Sequence, residues 1–287
     1  ELADENGINR AAIEQGRYLF HAANCYACHT DVDNDGAPLA GGRALESDFG
    51  IFFSPNITPD KETGIGKWRD EDFIRALTHG TAPDGHHYYP SFPYLSYRSM
   101  SRKDMLAIKA YLFSQPAVSQ KNKAHQLEWH LSQFTLRIWK ILNGLVAMPV
   151  THDGSRGSYL VDVLGHCNEC HTPRNALGML KMQDRLQGNE DLSAPDISAS
   201  KNGIGDWRRQ ELADLFRYGE LPDGDYVADH MGEVVDNSTS KWLDEDLNAA
   251  IDLAQQPNFP KVKEFRIEDK CAYFYVLDTP CLCPKSV

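Results

Sequence analysis

Cys25-Tyr26-Ala27-Cys28-His29 decides how this chain is read, and Cys167-Asn168-Glu169-Cys170-His171 repeats it. Each is a C-x-x-C-H box, the attachment pattern of c-type haem: two thiols add across the vinyl groups and the adjacent His supplies the proximal iron ligand. Two intervening residues let both sulfurs reach one edge of the porphyrin while the His lies under the iron. The boxes therefore predict two covalently bound haem c groups. Cys25, Cys28, Cys167 and Cys170 would form the thioethers, and His29 and His171 would bind iron.

A Cys-x-x-Cys pair alone also fits a dithiol redox motif or half of a zinc site. Zinc needs four ligands at workable spacing, and neither box has a second such pair or a His-x-x-x-His near it. A dithiol motif does not require the following His, yet both boxes carry one, followed by Thr30 and Thr172. The haem reading accounts for all of these residues.

The boxes belong to a longer repeat. Ser54-Pro55-Asn56-Ile57-Thr58 returns as Ala194-Pro195-Asp196-Ile197-Ser198, Gly64-Ile65-Gly66-Lys67-Trp68 as Gly203-Ile204-Gly205-Asp206-Trp207, and Pro83-Asp84-Gly85 as Pro222-Asp223-Gly224. Offsets of 139 or 140 positions hold through all three. A near-constant offset through several motifs predicts two homologous domains. We delimit them as 8–118 and 151–256, with a linker at 119–150 and an extension at 257–287.

The 287 residues suit two domains, and 41% hydrophobic residues make lean cores that a haem plate would supplement. With 41 acidic and 29 basic residues the formal charge is −12, which argues against binding nucleic acid or an anionic membrane surface. No run of 18 apolar residues predicts a membrane span; Leu131 to Val150 is interrupted by Arg137, Lys140 and Asn143. The first residue is Glu1, and c-type haem is attached outside the bacterial cytoplasmic membrane, so we expect a periplasmic protein whose signal peptide has been removed. One disulfide is expected among Cys271, Cys281 and Cys283.

Local patterns predict a mainly α fold. Helices are expected over 8–23, with Gly16 allowing close approach of another element, over 70–79, over 102–114 capped by Ser101, and over 244–254. Residues 31–50 read as a loop, in which the Pro38 carbonyl is a candidate acceptor for the Nδ1 proton of His29. The linker holds Trp129, Phe134, Leu136, Ile138, Trp139, Ile141, Leu142 and Leu145, which are expected to be buried across the domains, the alternative being a surface that rests on a membrane or a partner. A strand-like run covers 271–277.

The copies disagree at the sixth iron ligand. Met231, seven residues after Gly224, is expected to face His171, with Met179 and Met182 as competitors that lie closer to the box and so are worse placed. The same register in the first copy gives Phe92, which cannot ligate iron. Met100 is the preferred candidate there, His86 and His87 are alternatives, and an open iron is the third possibility. Met105 shares a helical face with Ile108 and Leu112 and is expected in the core.

Together the boxes, Pro55-Asn56-Ile57-Thr58-Pro59-Asp60, Thr63-Gly64-Ile65-Gly66-Lys67-Trp68, Pro83-Asp84-Gly85, Tyr89-Pro90-Ser91-Phe92-Pro93-Tyr94 and Met231-Gly232-Glu233-Val234-Val235 resemble the diheme and multiheme cytochrome c chains that serve bacterial periplasmic dehydrogenases, including alcohol and gluconate dehydrogenases. The likeness covers roughly residues 10–255. It implies tandem class I cytochrome c domains with His and Met axial ligands, transferring single electrons. Many such subunits carry Met where this chain has Phe92, and some have three haems and a C-terminal anchor. The expected partners are redox proteins: a periplasmic dehydrogenase or quinol-linked donor, and an acceptor cytochrome or oxidase. The rival expectation is a haem enzyme, a diheme peroxidase or sulfur-compound dehydrogenase, with the first haem reactive and His86, His87 or Asp84 as acid-base groups.

Overall fold

A computed structural model describes residues 10–146, 150, 152–257 and 259. The expected C-terminal strand and the three C-terminal cysteines lie outside the described residues. The chain divides into two compact units. One draws on Glu1–Leu131, Thr151–His166 and Trp207–Leu253, the other on Ser132–Val150, Cys167–Asp206 and Ala254–Val287.

In the first unit, α1 (Arg10–Ala22) leads into α2 (Cys25–His29), the first box. A hairpin of β1 (Ala44–Ser47) and β2 (Gly50–Phe53) pairs Ala44 with Phe53, and β3 (Gln126–Leu127) adds to β2 antiparallel. This small sheet occupies part of the expected loop. Its strands are only two to four residues long and none shows a regular alternation of buried and exposed positions over enough residues to read. Helices α3 (Asp70–His79), α4 (Tyr94–Tyr97) and α5 (Arg102–Phe113) follow, and the Ser101 hydroxyl accepts from the Asp104 N–H at 3.1 Å, as expected for a cap.

Helix α1 crosses α5 at Gly16, where an added Cβ would lie 1.9 Å from the Ala107 carbonyl oxygen. The crossing buries Leu19, Phe20, Met105, Ile108 and Leu112. Contributions from the second repeat also lie in this unit: α7 (Arg156–Ser158), running on into a π-helical stretch at Tyr159–Leu164, and α9 (Arg209–Tyr218), α10 (Asp229–Asn237) and α11 (Asp244–Ala254). Gly157 repeats the Gly16 contact, with its Cβ position 2.2 Å from the Ala249 carbonyl oxygen.

The repeats meet through reciprocal hydrogen bonds. The Tyr18 hydroxyl donates to Asp246 and accepts from the Leu243 N–H at 3.4 Å. Tyr159 donates to Asp104 at 2.7 Å and accepts from the Ser101 N–H at 3.2 Å. Each tyrosine thus reaches the start of the other repeat's last helix. Gln15 and Arg156 occupy matching places, binding Asp104 at 2.9 Å and Asp246 at 2.7 Å.

The second unit contains α6 (Gln133–Val146) and α8 (Asn168–His171), with Met179, Leu180, Met182 and Leu186 buried. Burial of the linker aromatics is corrected here. Leu136 is buried, but Phe134 is 73% exposed, Ile138, Ile141 and Leu142 face solvent, and Trp129 of the first unit is 91% exposed. The inward side of α6 includes Lys140 and Asn143, so the apolar stripe does not mark its buried face. Among the described residues no helix is long and apolar enough to cross a membrane.

Candidate functional site

Each box is immediately preceded by a residue in the left-handed region, Asn24 (φ 51°) and His166 (φ 40°). None of the four box cysteines is in a disulfide. Burial, reinforced by the neighbouring Cys28, pushes the Cys25 thiol up to about 12; burial and Glu169 raise Cys170. Such thiols stay protonated at neutral pH, the opposite of the lowered thiol that a dithiol redox motif needs. Among the described residues no group of three His, Cys, Asp or Glu side chains is placed to hold a metal ion.

The box histidines are held by a carbonyl each. His29 Nδ1 lies 2.9 Å from the Pro55 oxygen, and His171 Nδ1 lies 2.8 Å from the Pro195 oxygen. A carbonyl can only accept, so Nδ1 carries the proton and the Nε2 lone pair is left for iron. Burial lowers both imidazole pKa values, opposed by these same carbonyls, and keeps the rings in the neutral, ligating form. Pro38 is not the acceptor. The repeat carries the signal for the right one, because Pro55 and Pro195 stand at its 140-residue offset and Pro38 has no proline counterpart.

The same scaffold is built twice around these carbonyls. Thr30 Oγ1 accepts from the Leu39 N–H at 3.1 Å, and Thr172 Oγ1 from the Leu186 N–H at 3.0 Å. Leu39 and Leu186 both take left-handed backbone, φ 63° and 61°, costing on the order of 1 kcal/mol each that these buried hydrogen bonds offset. Their carbonyls accept from the Ile57 and Ile197 N–H groups at 2.9 Å, which locks the segments carrying Pro55 and Pro195. Asn56, 2% exposed on its accessible surface, adds donors to the Val118 and Gln120 carbonyls at 2.8 and 3.2 Å and accepts from the Thr58 N–H at 2.9 Å.

The sixth-ligand candidates are spread over several elements. Met100 is buried just after α4, and Met231 lies half-buried on α10, a helix not anticipated from the sequence. The exposed His86 ring meets the Asp84 carboxylate at 2.6 Å, and the His87 ring lies 3.5 Å from Thr81 Oγ1. Phe92 stacks edge-on against Tyr88 and Tyr97, with centroids 5.8 Å apart in both pairs. The register that equates Phe92 with Met231 recurs in the backbone: Tyr88 N–H donates to Gly80, and Val227 N–H to Gly219, at 2.7 and 2.8 Å. Met105, Met179 and Met182 are core residues.

The cytochrome c family matches residues 13–116. A diheme cytochrome c-type protein of Cereibacter sphaeroides is 39% identical over 247 residues, covering 82% of each chain. The chain belongs to the cytochrome c family. The cytochrome subunit of fructose dehydrogenase from Gluconobacter japonicus is 38% identical over 254 residues, and the gluconate 2-dehydrogenase cytochrome c subunit of Pantoea cypripedii 36% over 272. These alignments cover 85% and 86% of this chain but only 52% and 60% of the relatives' own length. The chain is thus a largely helical c-type cytochrome with a class I domain, and its place is in haem-based electron transport.

The residues at the boxes fit a covalently attached haem. Their thiols are unbridged, and their histidines leave Nε2, the nitrogen a haem iron would bind, without the proton.

Proposed function

We propose that this cytochrome carries two haem c groups and passes single electrons in the periplasm from a dehydrogenase or quinol-linked donor to an acceptor cytochrome or oxidase. The observation that carries the reading is the doubled box with a doubled His–carbonyl hydrogen bond. Cys25, Cys28 and His29 hold the first group; Cys167, Cys170 and His171 hold the second. Met231 is the sixth ligand of the second haem, and Met100, buried and close in sequence to the Ser101 cap, that of the first. The bound haem supplies a one-electron Fe(III)/Fe(II) couple. The protein fixes ligand tautomers, excludes water and sets the potentials. The dehydrogenase relatives make a dehydrogenase the natural donor.

The test is a haem-to-chain ratio from the pyridine haemochrome spectrum, with low-temperature EPR of the oxidised protein and optical spectra of the reduced protein under carbon monoxide. Two haems per chain, two low-spin signals and no carbon monoxide shift are expected. One haem per chain refutes the diheme reading.

A second reading makes the first haem an open, reactive centre of a peroxidase or sulfur-compound dehydrogenase. Phe92 in the methionine register and the Asp84–His86 hydrogen bond favour it. A high-spin signal with carbon monoxide binding to half the haem, together with turnover of hydrogen peroxide or thiosulfate, would select this reading.

A further inference from the structure

Arg43 is 8% exposed, and its guanidinium serves two masters within the first unit. One nitrogen donates to the Ala27 carbonyl, between the two cysteines of the first box; another donates to Glu233 Oε1 at 2.5 Å. The Arg43 backbone is clamped as well. Its N–H donates to Ser54 Oγ at 3.2 Å and its carbonyl accepts from the Ser54 N–H at 3.0 Å, and Ser54 precedes the proline that holds His29. Glu233 lies two residues after Met231 on α10, and α10 packs against α2. Its Oε2 is 4.0 Å from the exposed His230 ring. The side chains of the pair are 10% and 34% exposed, so water screens them only in part.

We propose that the Arg43–Glu233 pair couples the two redox centres, joining the first box to the helix that carries the second haem's methionine. It rests on the reading of Met231 as that ligand. Both are positioning residues. Each reduction step adds one electron from the titrant to one ferric iron; no bond forms or breaks, and the net charge falls by one. The Arg43 cation favours that extra negative charge, the Glu233 anion opposes it, and together they fix how α10 sits on the first box.

The experiment is a spectroelectrochemical redox titration of the full-length diheme protein and its Arg43→Gln, Arg43→Lys and Glu233→Gln variants, with thermal unfolding recorded in parallel. In Arg43→Gln both midpoint potentials fall, because the first centre loses a cation and the Glu233 carboxylate near Met231 is left unneutralised. In Glu233→Gln both rise. Arg43→Lys keeps the charge but loses the fork that spans two acceptors, and its shifts are smaller than those of Arg43→Gln. A merely structural pair would lower the melting temperature in both neutralised variants without opposite shifts in potential.

Movement of one potential alone, or of neither, in the variants that fold overturns the coupling. Glu233→Gln, altering the more exposed partner, keeps the question open to measurement if Arg43→Gln does not fold. Met231→Ala separates the two readings. Retention of every methionine–Fe(III) charge-transfer band there overturns the ligand assignment and the coupling with it; loss of one band, with one potential unmoved in Arg43→Gln, overturns the coupling alone.

Discussion

Gly16→Ala sets helix propensity against packing, and the two predict opposite signs. On propensity alone, replacing a mid-helix glycine by alanine stabilises by about 1 kcal/mol. The added methyl, however, would lie 1.9 Å from the Ala107 carbonyl oxygen and 2.5 Å from its carbon. Ordinary contact begins near 3.4 Å, so α1 and α5 would have to part by more than an ångström, loosening Leu19, Phe20, Ile108 and Leu112. The obstacle is backbone, which no rotamer change removes. Overpacking of this kind costs about 1–3 kcal/mol and more where the backbone cannot yield, so we expect a net loss of about 2 kcal/mol. Gly157→Ala, with 2.2 Å to the Ala249 carbonyl oxygen, should behave alike. Guanidinium unfolding of the oxidised holoprotein, followed by far-ultraviolet circular dichroism and haem absorbance, measures both. The corresponding fall in melting midpoint is roughly 4 °C or more. A Gly16→Ala variant as stable as the wild type, or more so, would refute the close crossing.

Asn56→Ala should destabilise by about 1–2 kcal/mol in urea, because the half-buried Gln120 carbonyl loses its Asn56 donor and the Val118 carbonyl keeps only the longer contacts from the Thr58 and Thr63 hydroxyls at 3.3 and 3.5 Å, beside the proline that holds His29. An unchanged midpoint would show that water replaces the side chain. Leu136→Ala should cost about 2–4 kcal/mol, whereas Phe134→Ser, two positions earlier, should change stability by no more than about 0.5 kcal/mol; equal effects would mean that α6 is turned the other way. Burial alone would raise the Asp246 carboxyl, but hydrogen bonds from Arg156 and Tyr18 and the Arg156 charge hold it below the usual carboxylate range. A depressed folded pKa contributes stability that is present above the unfolded value of about 4 and lost as pH falls through the folded value. Asp246→Asn should therefore be less stable than the wild type at pH 7, with the gap closing below about pH 4; a gap constant over that range would show that the charge is not what matters.

Helices that bury a regular stripe were legible before any coordinates. Asp70–His79 and Asp244–Ala254 fall where the apolar spacing puts them, and Arg102–Phe113 ends one residue short of its expected limit. The boxes were legible because covalent chemistry dictates their spacing. Elements whose residues answer to partners far along the chain were not. Helix α10 opens with Asp229 in left-handed backbone, and only one of its residues is fully buried, so no local pattern announces it. Helix α6 misleads in the other direction: its apolar side is outward while Lys140 and Asn143 are covered, and a stripe by itself says that a face is apolar without saying what covers it. Pro38 is nearer to His29 in sequence, but the acceptor is Pro55, which the repeat offset pairs with Pro195.

The repeat explains more than its own detection. Tyr18 with Asp246 and Leu243, and Tyr159 with Asp104 and Ser101, have the form of a two-fold interface, in which residue i of one copy meets residue j of the other and the reverse also holds. In each case burial, and a hydrogen bond to a carboxylate, raise the tyrosine's pKa, so both hydroxyls remain donors over the whole physiological range. The two copies therefore meet on surfaces that suit each other because they are versions of one surface. The departures from that symmetry are then the informative residues. Gln15 stands where the other copy has Arg156, so Asp104 is bound by a neutral amide and Asp246 by a cation, and Phe92 stands in the register of Met231. On the proposed reading, in which Met231 binds the second iron, both differences bear on charge and iron ligation, two of the quantities that set a haem's potential, so the two centres would differ in potential although their scaffolds match.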